Sequence, residues 1–240
     1  MIPCFVISLP DCTARRKAIS TRLERLRIDY EFFDAVDGRA GLPCQYENQI
    51  DRLRSRKLGR NLCDAEYACA LSHINVYRRI VSDAIPYALV LEDDAIPLLG
   101  LRTFLTLEEY YGVEVTDLHF RRRVWIRRGS GKKFGCHTSY LVAPGFTNKG
   151  TTGYVISQKA AQHFIEHAIP VIKEADWPDC ADIIVRKRQF RIVVPPLVQP
   201  DANHGSTIDL AGRNGKQIER WFFRIFTMLY WGGNGINFKF

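Results

Sequence analysis

The chain has 240 residues, of which 46% are hydrophobic and 25% are charged, and its formal net charge is +8. This composition is typical of a globular protein, and the length allows one large domain or two small ones. No stretch approaches the roughly 20 apolar residues that cross a bilayer. The amino terminus lacks a basic segment and is more typical of a strand than of a signal peptide, so we expect a cytoplasmic protein.

The net charge indicates what kind of partner the chain contacts, and the cysteine spacing indicates which metal sites are absent. A net charge of +8 indicates contact with something acidic, which nucleic acid, anionic lipid and phosphorylated substrates all satisfy. The seven cysteines contain neither a CxxC pair nor a paired zinc-ligand spacing, so we expect reduced thiols and no zinc site. The sequence has no GxSxG elbow, P-loop or dinucleotide GxGxxG, which argues against a Ser-His-Asp hydrolase and against those two nucleotide-binding motifs.

The first 36 residues predict a strand, a helix and a second strand. Residues 2–9 form a short apolar run of the kind found in buried strands. Residues 30–36 read as the second strand, and the order of the three elements favours a parallel sheet. Three apolar residues between the strands recur at helical spacing and predict the buried face of the helix, namely Ile19, Leu23 and Leu26.

Residues 86–91 form a continuous apolar run, the pattern of a central parallel strand that is covered on both faces. The run ends abruptly in three acidic residues, Glu92, Asp93 and Asp94. The absence of repeats and of Gly/Ser linkers favours one domain, followed by a distinct tail. The other predicted elements are helices at residues 64–82, 100–117 and 158–168, and strands at residues 140–143, 153–156 and 191–196.

The acidic triplet lies where open α/β sheets bind their ligands, outside the carboxyl end of a strand. Unpaired carboxylates are costly to bury, so the cluster needs a cation, basic neighbours or water. Its hard oxygen atoms suit Mg²⁺ or Mn²⁺, and either ion would bridge to a diphosphate. A solvated acidic turn that caps the next helix explains the same residues, and the spacing leaves both interpretations open.

Three further residues are candidates for chemistry or for structure. Asp176 could be the base that deprotonates a sugar hydroxyl, with Trp177 beside it as a stacking floor for the sugar, or it could cap a helix. His204 lies in a polar segment after the last predicted strand and is either a metal ligand or a solvated side chain. His73 lies on the helix predicted for residues 64–82 and is consistent with a core histidine.

Several segments form an ordered series that is more specific than any one motif. The most specific pair is residues 66–73, EYACALSH, followed by residues 89–94, LVLEDD. In their order, and over about residues 3–210, the segments resemble glycosyltransferase family 25, the bacterial lipooligosaccharide galactosyltransferases and their collagen-modifying relatives. The remaining members of the series are residues 5–9 with Arg15-Arg16, residues 32–38, residues 152–157 and Asp176-Trp177.

The resemblance implies an α/β protein of the GT-A type, a Rossmann-like sandwich around a mostly parallel central sheet. It implies an inverting transfer of a hexose, with galactose favoured, from a UDP-sugar to a lipooligosaccharide acceptor. Asp94 would hold Mn²⁺ or Mg²⁺ on the donor diphosphate, while His204, judged from its position alone, is a further ligand or a solvated side chain. Asp176 matches the family's base, although the preceding Glu174-Ala175 depart from the family's Pro-Val-Asp motif. The residues expected at the donor are Ser8, Arg15, Asp37, Glu92, Asp93, Gly153 and Tyr154.

The chain is expected to divide into a transferase domain over residues 1–210 and an amphipathic tail over residues 211–240. Arg220 and Arg224 beside aromatic residues suit a helix on the cytoplasmic face of the inner membrane, in contact with anionic lipid. A helix docked on the domain or in a homo-oligomer contact explains the tail equally well.

A basic stretch over residues 121–133 suits phosphates on a lipid-linked acceptor, or it is a solvated loop. No nucleic-acid module is present, so no nucleic-acid partner is expected. The alternative to an enzyme is a non-catalytic nucleotide-sugar or glycan-binding protein of the same fold.

Overall fold

The structure, a computed structural model, describes residues 1–59, 61–120, 124–145 and 150–201. The strand–helix–strand unit predicted at the amino terminus is present. It consists of strand β1 (Cys4–Ser8), helix α1 (Thr13–Arg25) and strand β2 (Glu31–Asp34), and the two strands pair in parallel. The three apolar residues at helical spacing, Ile19, Leu23 and Leu26, are all buried, as predicted.

A long helix leads into the third strand of the sheet. A 3₁₀ helix (Cys44–Gln49) and helix α2 (Arg52–Lys57) precede it, then come helix α3 (Asp64–Ser82) and strand β3 (Tyr87–Glu92). Strand β3 pairs in parallel with β1, which therefore lies between β2 and β3. Because three parallel strands end at the same edge of the sheet, the segments that follow them are brought together.

The rest of the described chain alternates short strands with three more helices. In chain order these elements are β4 (Ala95–Pro97), α4 (Leu99–Thr106), β5 (Val115–Asp117), β6 (Lys132–Phe134), β7 (His137–Leu141), β8 (Gly153–Ser157), α5 (Gln158–His167), α6 (Ala181–Arg186), β9 (Phe190–Val194) and β10 (Val198–Pro200).

The helix predicted for residues 100–117 is wrong in its second half. Helix α4 ends at Thr106, and the chain then passes through turns that include Gly112 at φ +81°. Glycine adopts this left-handed conformation without strain, which allows the chain to leave the helix direction. The β-branched Val115 and Thr116 then lie in strand β5, where branched side chains pack well on a pleated surface.

The central sheet has eight strands in the order β2-β1-β3-β8-β5-β9-β7-β6. The mostly parallel sheet of the prediction is therefore wrong at the level of pairing, since three neighbouring pairs are parallel and four are antiparallel. Strand β8 inserts in the antiparallel direction between β3 and β5. Strands β6 and β7 are joined by the two residues Gly135 and Cys136, and so short a hairpin forces antiparallel pairing.

Helices cover both faces of the sheet, which gives a mixed α/β fold with two apolar layers. One layer contains Leu71 of α3 and Phe164 of α5, packed with Val90 of β3. The other contains Leu23 of α1 and Phe104 of α4, packed with Leu89 and Leu91 of β3. Successive residues of a strand point to opposite faces, so β3 is buried on both faces as its apolar run predicts.

The tail predicted for residues 211–240 lies outside the described residues, so its helix and its contacts stay predictions. Within the four described ranges, none of the helices combines the length and the apolar character needed to span a bilayer.

Candidate active site

A pocket opens at the shared carboxyl edge of β1, β2 and β3, against the first half of α3. Of the residues predicted from the sequence, Ser8, Arg15, Asp37 and the acidic triplet all line it. The triplet follows β3 directly, Ser8 is the last residue of β1, and Arg15 lies in the first turn of α1. The parallel pairing of the three strands is what places these distant segments at one site.

Asp93 is held by side chains on both of its carboxylate oxygens. Ser8 Oγ donates to its Oδ2 at 2.8 Å, and Arg15 Nη1 donates to its Oδ1 at 2.8 Å. The residue is 7% exposed, so this charge is nearly buried and compensated on both oxygen atoms. The arrangement joins β1, α1 and the end of β3, and it makes Asp93 the anchor of the pocket wall.

Glu92 faces the opposite side of the pocket, toward α3. Thr151 Oγ1 donates to Glu92 Oε1 at 2.7 Å, and His73 Nε2 lies 3.4 Å from the same oxygen. The other ring nitrogen of His73, Nδ1, is hydrogen-bonded to the Tyr154 hydroxyl at 2.7 Å. That hydroxyl contacts the Tyr77 hydroxyl at 2.9 Å, so a buried polar chain runs from the core to the pocket.

Asp94 completes the triplet at the junction with β10. Its side chain is half-buried and lines the pocket, and its backbone oxygen accepts a hydrogen bond from the Asp201 amide at 2.7 Å. Asp201 is itself buried and paired with Arg22 of α1. The chain thus returns to the triplet just before His204, which lies outside the described residues, so its predicted role as a metal ligand stays a prediction.

The structure brings Asp176 into the electrostatic field of the same pocket. Burial raises the pKa of the Cys69 thiol well above its ordinary value, and the negative charges of Glu92, Asp176 and Asp94 raise it further. Cys69 lies on α3 and lines the pocket, so all three carboxylates act on one point of the wall. Asp176 follows the triplet by more than 80 residues in the sequence, and it is not among the described residues that line the pocket.

Trp177, the residue after Asp176, packs against the core. Its ring centroid lies 5.0 Å from that of Tyr154 and 5.0 Å from that of Phe190, in edge-on contacts with the core. The ring is half-buried, and the stacking floor that we expect from the sequence stays a prediction. Its backbone has φ +47°, a strained conformation for an aromatic residue, at the position that follows Asp176.

Asp37 lies at the exposed rim of the pocket. Arg39 donates from Nη2 to Asp37 Oδ2 at 2.7 Å and also pairs with Asp11 at 2.8 Å. The hydrogen bonds from Arg39 hold the pKa of the Asp37 carboxyl below its usual value. The rim therefore combines the Arg39 cation with the carboxylates of Asp37 and Asp11.

Two of the predicted donor contacts do not reach the pocket. Gly153 is buried, and a Cβ atom at this position would lie 2.9 Å from Leu91 Cδ2 and 2.9 Å from Val198 Cγ2. Tyr154 is 0% exposed, and its hydroxyl is engaged by His73 and Tyr77. The expectation of direct donor contact is corrected for both residues: Gly153 permits close packing on β8, and Tyr154 supports the wall from behind.

Sequence reasoning missed the contributions of Cys69 and Thr151, and it treated His73 as a core histidine without a link to the site. The spacing of Cys69 and His73, four residues apart on a helix, places both on one face and was a usable signal. The third partner, Glu92, comes from another element, and its proximity follows only from the packing of α3 on the sheet.

Comparison with known proteins gives one family and several relatives. The profile of the family described as "Glycosyltransferase family 25 (LPS biosynthesis protein)" matches residues 1–109. The lipooligosaccharide biosynthesis protein lic2B of Haemophilus influenzae is 28% identical over 68% of this chain and 62% of its own length. The lacto-N-neotetraose biosynthesis glycosyltransferase LgtB of Neisseria meningitidis serogroup B is 26% identical over 67% of this chain and 60% of its own length.

A eukaryotic protein shows the same likeness over a smaller share of its length. Procollagen galactosyltransferase 1-A of Xenopus laevis is 27% identical over 70% of this chain and 28% of its own length. The matched part of the chain thus spans 62% and 60% of the length of the two bacterial relatives. It spans 28% of the length of the procollagen galactosyltransferase.

Proposed function

Since the match to glycosyltransferase family 25 confirms the resemblance seen in the sequence, we propose that this chain is a glycosyltransferase. It transfers a hexose, with galactose favoured, from a UDP-sugar to a lipooligosaccharide acceptor. The observation that carries the proposal is the pocket at the ends of three parallel strands, lined by Glu92, Asp93 and Asp94, with Asp176 in its field. The fold belongs in this proposal to the GT-A type, which binds its nucleotide-sugar at this edge of the sheet.

The donor is held by side chains that the fold has already oriented. Arg39 brings a positive charge to the pocket rim for the diphosphate, and Arg15 reinforces it from α1. Ser8 and Asp93 fix each other at 2.8 Å, so the wall that meets the nucleoside is rigid. Glu92, anchored by Thr151, faces the sugar side of the pocket.

The carboxylate of Asp94 suits a divalent cation such as Mn²⁺ or Mg²⁺, because hard cations prefer oxygen ligands. Both oxygens of Asp93 are already engaged by Ser8 and Arg15, which makes Asp93 a poor ligand and favours Asp94 as the residue that would hold the ion. The bound ion would offset the negative charge that develops on the departing nucleoside diphosphate.

Asp176 acts in this proposal as the base for the acceptor. Its carboxylate takes the proton of the acceptor hydroxyl while that oxygen forms a bond to the anomeric carbon. The bond from the anomeric carbon to the phosphate oxygen breaks on the opposite face, and the electron pair leaves with UDP. A single displacement inverts the anomeric centre, so an α-linked donor yields a β-linkage.

The names of the relatives support the substrate classes. Lipooligosaccharide and lacto-N-neotetraose biosynthesis favour a glycan acceptor that is linked to lipid, and procollagen galactosyltransferase favours galactose as the transferred sugar. A lipid-linked acceptor would place the protein at the cytoplasmic face of the inner membrane. Contact with anionic lipid and self-association through residues 211–240 belong to the same proposal.

The decisive experiment measures UDP release from UDP-galactose, with Mn²⁺ and a lipooligosaccharide acceptor. We expect Asp94→Ala to abolish release, while Asp29→Ala, which removes an exposed carboxylate far from the triplet in sequence, leaves it unchanged. Mn²⁺-dependent binding of UDP-galactose without turnover on any acceptor would instead support a non-catalytic binding protein. Equal activity of the two variants would contradict the assignment of the ion to Asp94.

A further inference from the structure

A second cluster of ligand atoms lies in the pocket wall, separate from Asp94. The Cys69 thiol, one ring nitrogen of His73 and one carboxylate oxygen of Glu92 all lie within 4.8 Å of one another. Two of these residues are one turn apart on α3, and the third ends β3. All three line the pocket, so solvent and small ions can reach them.

The orientation of the His73 ring is fixed by its surroundings. Its side chain is 3% exposed, and Nδ1 is bonded to the Tyr154 hydroxyl, so the ring cannot rotate freely. When Nδ1 carries the proton and donates it to Tyr154, the lone pair of Nε2 points toward the other two residues. A histidine that binds a metal through one ring nitrogen usually donates a hydrogen bond from the other ring nitrogen to a fixed partner.

The nitrogen Nε2 of His73 lacks a hydrogen-bond partner within the described ranges. Its 3.4 Å separation from Glu92 Oε1 is long for such a bond. A buried polar atom without a partner is destabilising, and a lone pair that faces a carboxylate is repulsive as well. A cation between the two groups removes both penalties.

The charges around the cluster favour a cation over an anion or a neutral ligand. Glu92 belongs to the cluster itself, and Asp94 lies two residues further along the same pocket wall. A metal ion that binds the sulfur of Cys69 takes it as the thiolate, and the thiol proton passes to solvent.

We propose that Cys69, His73 and Glu92 form a binding site for a borderline-soft divalent cation of the Zn²⁺ class. Sulfur, nitrogen and oxygen from three residues are a ligand set that Zn²⁺ accepts and that Mn²⁺ and Mg²⁺ do not favour. With bonds of about 2.0–2.3 Å, ligand atoms on a tetrahedral ion lie within about 4 Å of one another, so modest side-chain closure completes the site. The fourth position faces the pocket. This site does not rest on the proposed transferase activity.

The test is titration of the full-length, metal-stripped, reduced protein with Co²⁺, which replaces Zn²⁺ and reports thiolate ligation by a charge-transfer absorption. We expect one equivalent of Co²⁺ to bind and to give this absorption. We expect Zn²⁺, but not Mn²⁺, to displace the bound Co²⁺. Cys69→Ser should abolish the thiolate absorption, whereas Cys44→Ser, which changes an exposed thiol, should retain it.

Two further variants keep the proposal falsifiable if Cys69→Ser folds poorly. Glu92→Gln removes the anionic ligand at constant size and should weaken Co²⁺ binding by at least about tenfold. Asp94→Asn removes the carboxylate assigned to Mn²⁺ and should leave the absorption intact, so this site and the proposed function can fail separately. Absence of a stoichiometric thiolate absorption, or its equal loss in Cys44→Ser, would overturn the proposal.

Discussion

The guanidinium of Arg15 lies 2.8 Å from the carboxylate of Asp93, and the two side chains are only 12% and 10% exposed. Arg15 belongs to the first turn of α1, and Asp93 directly follows β3. This ion pair therefore ties the helix after the first strand to the end of the third strand. Because Asp93 is nearly buried, its charge depends on the compensation that Arg15 and Ser8 provide.

Removal of the Arg15 guanidinium tests how far the buried charge of Asp93 depends on it. We expect Arg15→Ala to lower the free energy of unfolding by about 3–5 kcal/mol, because it leaves a buried carboxylate with a single hydroxyl partner. Urea unfolding followed by circular dichroism measures the change. Arg25→Ala removes the same charge from an exposed position of the same helix and should shift the stability by no more than about 0.5 kcal/mol. Equal effects of the two variants would show that the pair contributes little.

Replacement of Asp176 tests its assignment as the base. Asp176→Asn keeps the size of the side chain but cannot accept the proton, so kcat should fall by about 10²–10⁴-fold. Steady-state UDP release gives the rate, and thermal unfolding confirms that the variant folds. Asp179→Asn alters an exposed aspartate that pairs with Lys173 and should retain activity. A rate for Asp176→Asn that matches this control would assign the proton transfer elsewhere.

The elements with local signals were predictable from the sequence, and the strand order was not. The apolar run at residues 86–91 and the helical spacing of residues 64–82 mark β3 and α3 because burial on two faces or on one stripe leaves a local pattern. The antiparallel insertion of β8 between β3 and β5 depends on contacts between distant segments. Periodicity carries no information about such pairings, so the parallel sheet was overestimated.

The site shows the same division between local and distant information. Ligands bind outside the carboxyl ends of strands, and this rule located the acidic triplet correctly in the pocket wall. The different roles of its members could not be read from the sequence. Asp93 is held by Arg15, 78 residues earlier, and Glu92 by Thr151, 59 residues later, and only the folded chain brings these partners together.

The packing of Gly153 gives a prediction that separates stability from donor binding. Gly153→Ala places a methyl group 2.9 Å from Leu91 and Val198, so the free energy of unfolding should fall by about 1–3 kcal/mol. The donor KM should not change, because the residue lies behind the wall. In a double-mutant cycle, Val198→Ala should relieve part of the cost, with a coupling of at least about 0.5 kcal/mol. Additive effects, or a raised KM at unchanged stability, would contradict this role.

Burial of Cys180 predicts a loss of stability in alkali. Desolvation raises its pKa from the ordinary 9.0 to about 12 in the folded chain. The neutral thiol therefore stabilises the fold fully below pH 9.0, and this contribution is lost as the pH rises toward about 12, because the unfolded chain ionises first. Cys180→Ser cannot titrate in this range, so the stability advantage of the wild type over this variant should shrink with rising pH.

Urea unfolding of the wild type and Cys180→Ser at about pH 8 and about pH 10.5 measures this difference, in which the titrations of the other thiols and phenols cancel. A pH-independent difference for Cys180→Ser would mean that the thiol ionises alike in both states.

The hydroxyl of Tyr154 should affect the metal affinity of the Cys69–His73–Glu92 site although it does not contact the ion. Tyr154→Phe removes the partner of His73 Nδ1, which frees the tautomer and the orientation of the ring. Loss of such a second contact typically lowers metal affinity by about 10–100-fold, and Co²⁺ titration of the reduced protein measures it. Tyr67→Phe removes a different buried hydroxyl, on the helix α3 that carries His73; this hydroxyl donates to Ser55, so the metal affinity should not change. If both variants bind Co²⁺ as the wild type does, His73 is not a ligand that Tyr154 orients.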